Sequence, residues 1–392
     1  MTVGWEYKQL GIVCENLDSK RVPITKSKRL SGPIPYYGAS GVVDHVADYL
    51  FDEDLLLVSE DGANLLARTY PIAFSISGKT WVNNHAHVLR FEDMDSQRFI
   101  EYYLNSISLE PYVSGMAQPK LNQKSLNSIT VPFPPLTEQK RIVAILDEAF
   151  AGIDAAVANT EKNLANAREL FESYLNAIFT QKGDGWVEKK LGDIGATQTG
   201  STPKTSNKAN YGNYIPFIKP ADFEQGGSLD YENQGLSEEG LTSARKVVAG
   251  STLMVCIGAT IGKCGWSDRD VTTNQQINTL TPAAGVSHKF IYYQMRTVNF
   301  QSRVLSNAGQ ATLPIINKSK WNALTVWLPK SICDQNSIVD KLDTLQTETQ
   351  LLESIYQQKL ETLAELKQSI LQKAFAGELT ALPEKTLEEA VA

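Results

Sequence analysis

The sequence is short of the residues that most catalytic chemistry needs. Among 392 residues there are only four histidines and four cysteines. Cys14, Cys256, Cys264 and Cys333 are scattered without metal-knuckle spacing, which fits reduced thiols in a reducing compartment. His85 and His87 can share one strand face, but no second ligand pair follows, so no metal site is expected. No Gly-x-Ser-x-Gly elbow and no His-Glu-x-x-His helix is present. Gly258-Ala259-Thr260-Ile261-Gly262-Lys263-Cys264 falls short of a phosphate loop: its glycines are one residue too close, and Cys264 stands where a Ser or Thr would hold magnesium. Phe133-Pro134-Pro135-Leu136 also departs from the signature of amino-methyltransferases. Long apolar runs are missing too. The longest, Ile142 to Leu146 and Leu253 to Ile257, fall far below the roughly 20 residues a bilayer span requires. Met1 to Glu6 lacks the basic and apolar segments of a signal peptide, so a cytoplasmic protein is expected. These absences favour binding over turnover.

What is present is ordinary globular composition, 42% hydrophobic and 21% charged, with length for about two or three domains. The net charge of −7 argues against nucleic acid as a partner only if it is evenly spread. It is not: residues 181–329 carry 15 Lys and Arg against 11 Asp and Glu, while the acidity gathers in 134–180 and 330–392. Lys20, Arg21, Lys26, Lys28 and Arg29 form a strip without an acid among them. Screening limits each charge to about 8 to 10 Å, so such a strip can bind phosphates on an acidic protein.

The chain also repeats itself. Gly4-Trp5-Glu6-Tyr7-Lys8-Gln9-Leu10-Gly11 returns as Gly185-Trp186-Val187-Glu188-Lys189-Lys190-Leu191-Gly192, and Ile34-Pro35-Tyr36 as Ile215-Pro216-Phe217. Asn83-Asn84-His85 aligns with Asn274-Gln275-Gln276, Tyr102 with Tyr293, and Asn122 with Asn317. Gln139, Ile142, Leu146 and Asp147 recur 196 residues later. A period this long is no solenoid; it implies a duplicated unit, a globular piece followed by a helical one.

The helical pieces carry a seven-residue apolar repeat. In the first, Val143, Phe150, Val157, Leu164 and Phe171 share one position, and Leu146 and Ile153 the other, with Thr160 the polar exception. In the second the stripe is Leu342, Leu345, Leu352, Tyr356, Leu363, Leu366 and Ile370. Helices of forty-odd residues would each be about 60 Å long and need a partner for a narrow stripe. Antiparallel pairing of the two in a coiled coil is expected. The alternative is two amphipathic helices, each lying on its own domain.

The globular pieces read as mixed α/β with short strands, Leu55 to Val58 and Leu253 to Ile257 being buried-strand candidates. The expected organisation is domain 1–133, helix 134–182, domain 183–329, helix 330–379 and a tail 380–392. Groups suited to a polar, planar, anionic ligand occur in both globular pieces. The first has the strip Lys20, Arg21, Lys26, Lys28 and Arg29, then Tyr36 and Tyr37, Asn83-Asn84-His85, and Gln118 with Lys120. The second has Ser201, Thr202, Lys204, Lys208, Lys219, Asn274-Gln275-Gln276, and Gln310 with Thr312. Lys and Arg neutralise phosphates, while Asn, Gln and Arg make the paired hydrogen bonds that separate base edges. Each group alone is more often a solvated turn; their recurrence strengthens the joint case.

Pro134-Pro135-Leu136-Thr137-Glu138-Gln139-Lys140-Arg141-Ile142-Val143, Gly200-Ser201-Thr202-Pro203 with Tyr214 to Lys219, Asn274 to Asn278, and Leu366 to Leu379 together resemble the specificity subunits of Type I restriction-modification systems. Tyr36 to Gly41 departs from the pattern that Ile218 to Asp222 follows. The resemblance covers nearly the whole chain. It implies a non-catalytic, bacterial or archaeal subunit whose two target recognition domains each read one half of a split, asymmetric site in double-stranded DNA. The helices would then be spacers and docking surfaces for two methyltransferase subunits, which would carry S-adenosylmethionine; this chain itself would hold no cofactor. Restriction/translocase subunits would join for cleavage. A coiled-coil scaffold whose ends bind proteins, and a self-sufficient enzyme, are the competing readings.

Overall fold

The computed structural model describes residues 5–115, 118–309 and 313–380. They form two units, one from Met1–Glu161 with Gln358–Ala392 and one from Lys162–Gln357. The first unit opens with strand β1 (Glu6–Gln9), helix α1 (Leu10–Val13) and β2 (Glu15–Asn16). Then come β3 (Ile34–Gly38), β4 (Gly41–Val46), β5 (Phe51–Asp52), β6 (Leu55–Ser59), α2 (Asn64–Ala67), β7 (Ala73–Ile76), β8 (Lys79–Val82) and β9 (Ala86–Arg90). Helices α3 (Met94–Ser106) and α4 (Gln123–Asn127), strand β10 (Thr130–Phe133) and the long helix α5 (Leu136–Gln181) follow. The second unit repeats the plan with β11 (Trp186–Lys190), β12 (Gly195–Thr199), β13 (Tyr211–Ile218), β14 (Gly235–Leu236), α6 (Glu238–Thr242), β15 (Lys246–Val247), β16 (Thr252–Val255), β17 (Cys264–Trp266), β18 (Val271–Thr273) and β19 (Ile277–Pro282). It closes with α7 (His288–Arg296), α8 (Val298–Asn307), α9 (Lys318–Asn322), β20 (Thr325–Pro329) and α10 (Ile332–Ala376).

Sheet order makes the duplication explicit. The first unit holds an antiparallel sheet β2-β9-β6-β7 and a mixed sheet β4-β3-β8-β5; the second holds β12-β19-β16-β17 and β14-β13-β18-β15. The parallel pairing, β3 with β8 and β13 with β18, falls at the same place in each mixed sheet. A two-stranded ribbon closes each unit, β1 with β10 and β11 with β20.

The apolar runs seen in the sequence are central strands with a core on either side, which is why they do not alternate with polar residues. Along β6, Leu55 and Leu57 face Phe51, Val82 and Val88, whereas Leu56 and Val58 face Phe99 and Ile100 of α3 and the long helices. Along β16, Leu253 and Val255 face Ile218 and Val271, and Met254 packs with Phe290, Ile291 and Trp321.

Most sequence repeats have a local structural cause. Leu10 N–H donates to Ile129 O and Leu191 N–H to Leu324 O, each at the end of a ribbon. The glycine after each leucine lies against an asparagine; a Cβ on Gly11 would sit 2.9 Å from Asn127 Cβ. Asn122 and Asn317 cap α4 and α9 by accepting the N–H of Ser125 and Lys320. Gln139 and Gln335 donate to the carbonyls of Pro134 and Pro329, tying the first turn of each long helix to the ribbon before it. Tyr102 donates to Asp147 of α5, which Arg98 also binds at 2.8 Å. Tyr293 donates to Asp343 of α10, which Lys289 binds at 2.8 Å. Each domain is thus bolted to the root of its helix by the same tyrosine, cation and aspartate.

Both long helices contribute to both units. In the first, Lys367 pairs with Asp154 and lies over the Phe150 ring, while Thr380 donates to Glu138, so the segments run antiparallel. In the second, Arg168 pairs with Glu353. Val143, Leu146, Phe150, Ile153, Leu164 and Phe171 of α5 and Leu342 of α10 are buried; Val157, Leu345, Tyr356, Leu363 and Ile370 are partly so. Two expected seam positions are wrong. Leu352 is 38% and Leu366 46% exposed; Glu353 and Lys367, one residue on, lie partly buried and ion-paired to α5 instead. The Lys367 ammonium sits over the Phe150 ring and pairs with Asp154, and Glu353 pairs with Arg168. No helix of the described residues is long and apolar enough to cross a membrane.

Candidate nucleic-acid interface

The same three-part face is built in each unit. Its first part is the turn after the parallel strand. Asn83 N–H donates to Tyr37 O, and Asn83 Oδ1 accepts His85 N–H at 2.7 Å; Asn274 N–H donates to Ile218 O, and Asn274 Oδ1 accepts Gln276 N–H at 3.1 Å. An asparagine that bonds the backbone two residues on fixes a tight turn. The second part is the glycine turn after β6 or β16. Gly62 (φ 109°) and Gly258 (φ 104°) occupy backbone that favours glycine. The third part is the return segment, where Pro119 O accepts Gly62 N–H and Pro314 O accepts Gly258 N–H, both at 3.0 Å.

The side chains on these matched backbones differ. In the first unit, Arg21 Nη1 reaches Glu60 at 2.6 Å and Ala86 O at 2.7 Å, and Lys120 reaches Glu60 at 3.1 Å. His87, buried beneath, meets Asp18 through Nδ1 at 2.5 Å and Leu121 O through Nε2 at 2.7 Å. Burial pushes the Asp18 carboxyl up, but the hydrogen bond and charge of His87, the Val88 N–H and Arg21 outweigh it, so it titrates below the ordinary range. Glu60 is likewise lowered: burial opposes, and the bonds from Arg21 and Lys120 prevail. Above the network, His85 Nδ1 lies 2.9 Å from both carboxylate oxygens of Asp61. Asp18, Glu60 and His87 are close enough to hold a metal ion, yet Arg21 and Lys120 already neutralise the carboxylates, so the cluster reads as an ion-pair network.

In the second unit the counterparts are neutral. Thr199 donates to Asn278 at 2.7 Å where the first unit has Asp18 and His87. Cys256 replaces Glu60, and burial pushes its thiol up to about 12. Asn274 Nδ2 donates to Gln276 Oε1, Gln276 Nε2 donates to Ile257 O, and Thr202 donates to Gln275 Oε1.

Several expected contacts are corrected by their surroundings. Tyr36 is 1% exposed, its hydroxyl accepting Ile24 N–H, so its ring is core. Arg29 is held by Asp44 at 2.8 Å and stacks on Tyr36. Arg21 is spent on Asp18 and Glu60. Asn83 and Asn274 are buried turn-formers, leaving Asn84, His85 and Gln275 exposed and Gln276 half-buried. Lys20, Lys26, Lys28, Lys204 and Lys208 are exposed, with no ion pair among the described residues. Gln118, Lys120 and Thr202 are exposed too, while Tyr37, Ser201 and Lys219 are half-buried. Gln310 and Thr312 lie outside the described residues. The sequence reading took the Gly258 segment for a turn with a basic residue but missed Asp18, Glu60, Asp61 and the matching turn at Gly62, although Gly62-Ala63 and Gly258-Ala259 repeat 196 residues apart.

Two matched domains carrying unlike faces define a duplicated protein. The sequence matches the family described as Type I restriction modification DNA specificity domain over residues 2–164 and 183–362, and the chain belongs to that family. It is similar to a putative type I restriction enzyme specificity subunit, S.HindORF215P, of Haemophilus influenzae: 38% identical over 37% of this chain and 37% of that one. The EcoBI specificity subunit of Escherichia coli is 24% identical over 74% of this chain and 67% of its own length. The chain spans about a third of the length of the first curated relatives it matches. A solved chain described under "Structural basis underlying complex assembly and conformational transition of the type I R-M system" superposes with a TM-score of 0.75 at 19% identity, covering 97% of this chain and 99% of that one; the likeness is one of fold.

Proposed function

We propose that this chain is the non-catalytic specificity subunit of a Type I restriction-modification complex, and that 1–133 and 183–329 are target recognition domains. Each reads one half of a split DNA site. The observation that carries this is the pair of equivalent turn faces with different chemistry, His85 with Asp61 and Lys120 against Gln275 with Thr202. Equal backbones with unequal hydrogen-bonding groups are what reading two different base sequences requires. Exposed Lys20, Lys26, Lys28, Lys204 and Lys208 supply the sequence-independent phosphate attraction.

Helices α5 and α10 serve as the spacer between half-sites and as the docking surface for two methyltransferase subunits, which bring S-adenosylmethionine; restriction/translocase subunits complete the assembly. The test is binding of duplex oligonucleotides by the complex assembled with its methyltransferase subunits. Scrambling either half-site should abolish specific binding, and removing one heptad from both helices should change the tolerated spacing. Binding indifferent to both half-sites would instead favour a scaffold that engages proteins.

A further inference from the structure

A free carboxamide or imidazole reads bases ambiguously, because either can turn to present a donor or an acceptor. In this chain the exposed reader of each turn is hydrogen-bonded to a neighbour that orients it. Resting on the DNA-reading function above, we propose that Gln275, oriented by Thr202, presents amide N–H donors to a base acceptor, whereas His85, oriented by Asp61, presents Nε2 as an acceptor to a base amino group. The two half-sites are then read with opposite hydrogen-bond polarity.

In the second unit, the Thr202 hydroxyl donates to Gln275 Oε1, which turns that oxygen toward the 200–202 loop. Nε2 of Gln275, on an exposed residue, has no partner among the described residues. The loop that carries Thr202 is itself fixed on the turn. Gly200 N–H donates to Ile277 O at 3.0 Å and Ser201 N–H to Thr273 O at 2.9 Å. A Cβ on Gly200 would come within 2.2 Å of Asn274 O, so only glycine permits this approach. Donors so placed suit purine N7 and O6 or thymine O4.

In the first unit, Asp61 is the residue after Glu60 and before the glycine turn, and both of its carboxylate oxygens lie 2.9 Å from His85 Nδ1. A carboxylate accepts, so Nδ1 carries the hydrogen, and in the neutral imidazole the lone pair is then on Nε2. Nε2 has no partner among the described residues, and the side chain is 52% exposed. An outward acceptor suits adenine N6 or cytosine N4 amino groups. Thr202 and Asp61 are positioning residues; Gln275 and His85 make the contacts.

The probe is a randomised duplex pool, selected by the full chain assembled with its methyltransferase subunits, followed by single-atom changes in the selected duplex. Replacing the contacted purine by its 7-deaza analogue, or thymine by its 4-thio analogue, should weaken binding about tenfold or more, with no further loss in Q275A. Removing the contacted amino group in the other half-site should do the same, with no further loss in H85A. T202V and D61L should relax base preference at one position each, and T202S should restore it. A preference unchanged in T202V and D61L, or full-strength binding of every analogue duplex, overturns the polarity assignment. A wild-type complex that selects no sequence from the pool overturns the DNA-reading function itself.

Discussion

Arg21 separates a structural charge from a DNA contact. Its sequence neighbours make it part of a basic strip, yet its guanidinium donates to Glu60 at 2.6 Å, to Ala86 O at 2.7 Å and to Asp18 O at 3.2 Å, with a side chain only 12% exposed. Arg21→Ala leaves two largely buried carboxylates short of a partner. Removing one member of a buried pair costs about 3 to 5 kcal/mol. Lys120 still reaches Glu60 and His87 still reaches Asp18, so the lower end, about 3 kcal/mol, is expected here. For a unit of about 200 residues that corresponds to a fall of about 6 to 12 °C in the unfolding temperature. The assay pairs calorimetric unfolding with the salt dependence of duplex binding by the assembled complex. Arg21→Ala should unfold early and keep the wild-type salt slope. Lys28→Ala, at an exposed position with no ion pair among the described residues, should keep the unfolding temperature and lower the slope by about 0.9. An Arg21→Ala protein with wild-type thermal stability and a slope reduced by that amount would refute the reasoning.

Leu342→Ala, which empties a fully buried position, should cost about 2 to 5 kcal/mol, whereas Leu352→Ala should stay within about 0.5 kcal/mol; equal losses in urea unfolding would put the seam back where the leucines are. The lowered Asp18 and Glu60 carboxyls lend the first unit stability that is full above the ordinary carboxylate range, about pH 4, and is lost as pH falls through their folded values. Denaturation of wild type and Glu60→Gln between pH 7 and 3 checks this: the variant should show the shallower decline, and parallel curves would contradict it. Lys219→Ala should weaken binding to all duplexes alike, while Gln275→Ala should relax preference in one half-site only; matching selection profiles for the two variants would count against these assignments.

How far the sequence could be read depended on what each residue does. The duplication was visible because the repeated residues fasten the backbone: glycines at ribbon ends, asparagine caps, the glutamine at each helix root and the tyrosine and aspartate that bolt domain to helix. The face was harder to see. A basic strip looks the same whether its members meet solvent, like Lys26, or a buried carboxylate, like Arg21, because Glu60 and the Ala86 carbonyl lie 39 and 65 residues along the chain from Arg21. The heptad stripe was misplaced at two positions for a related reason: the apolar pattern points to Leu352 and Leu366, while Glu353 and Lys367 take the partly buried places through ion pairs to α5.

The places where the repeat breaks are therefore as informative as those where it holds. Asp18 and His87 occupy the backbone positions of Thr199 and Asn278, and Glu60 that of Cys256, with the surrounding strand pairing unchanged. Packing alone does not ask for buried charge in one copy, since the other copy closes the same space with neutral groups. The charged network instead lies directly under the turn that carries His85, and Arg21 binds the carbonyl of Ala86, the residue after it. Beside that network Asp61 holds the His85 imidazole, and in the second unit Thr202, on a glycine-tight loop, holds Gln275. Unlike groups at and beneath equivalent turns, on matching strand pairing, are what a duplicated protein would show if its two copies bound different ligands on one scaffold.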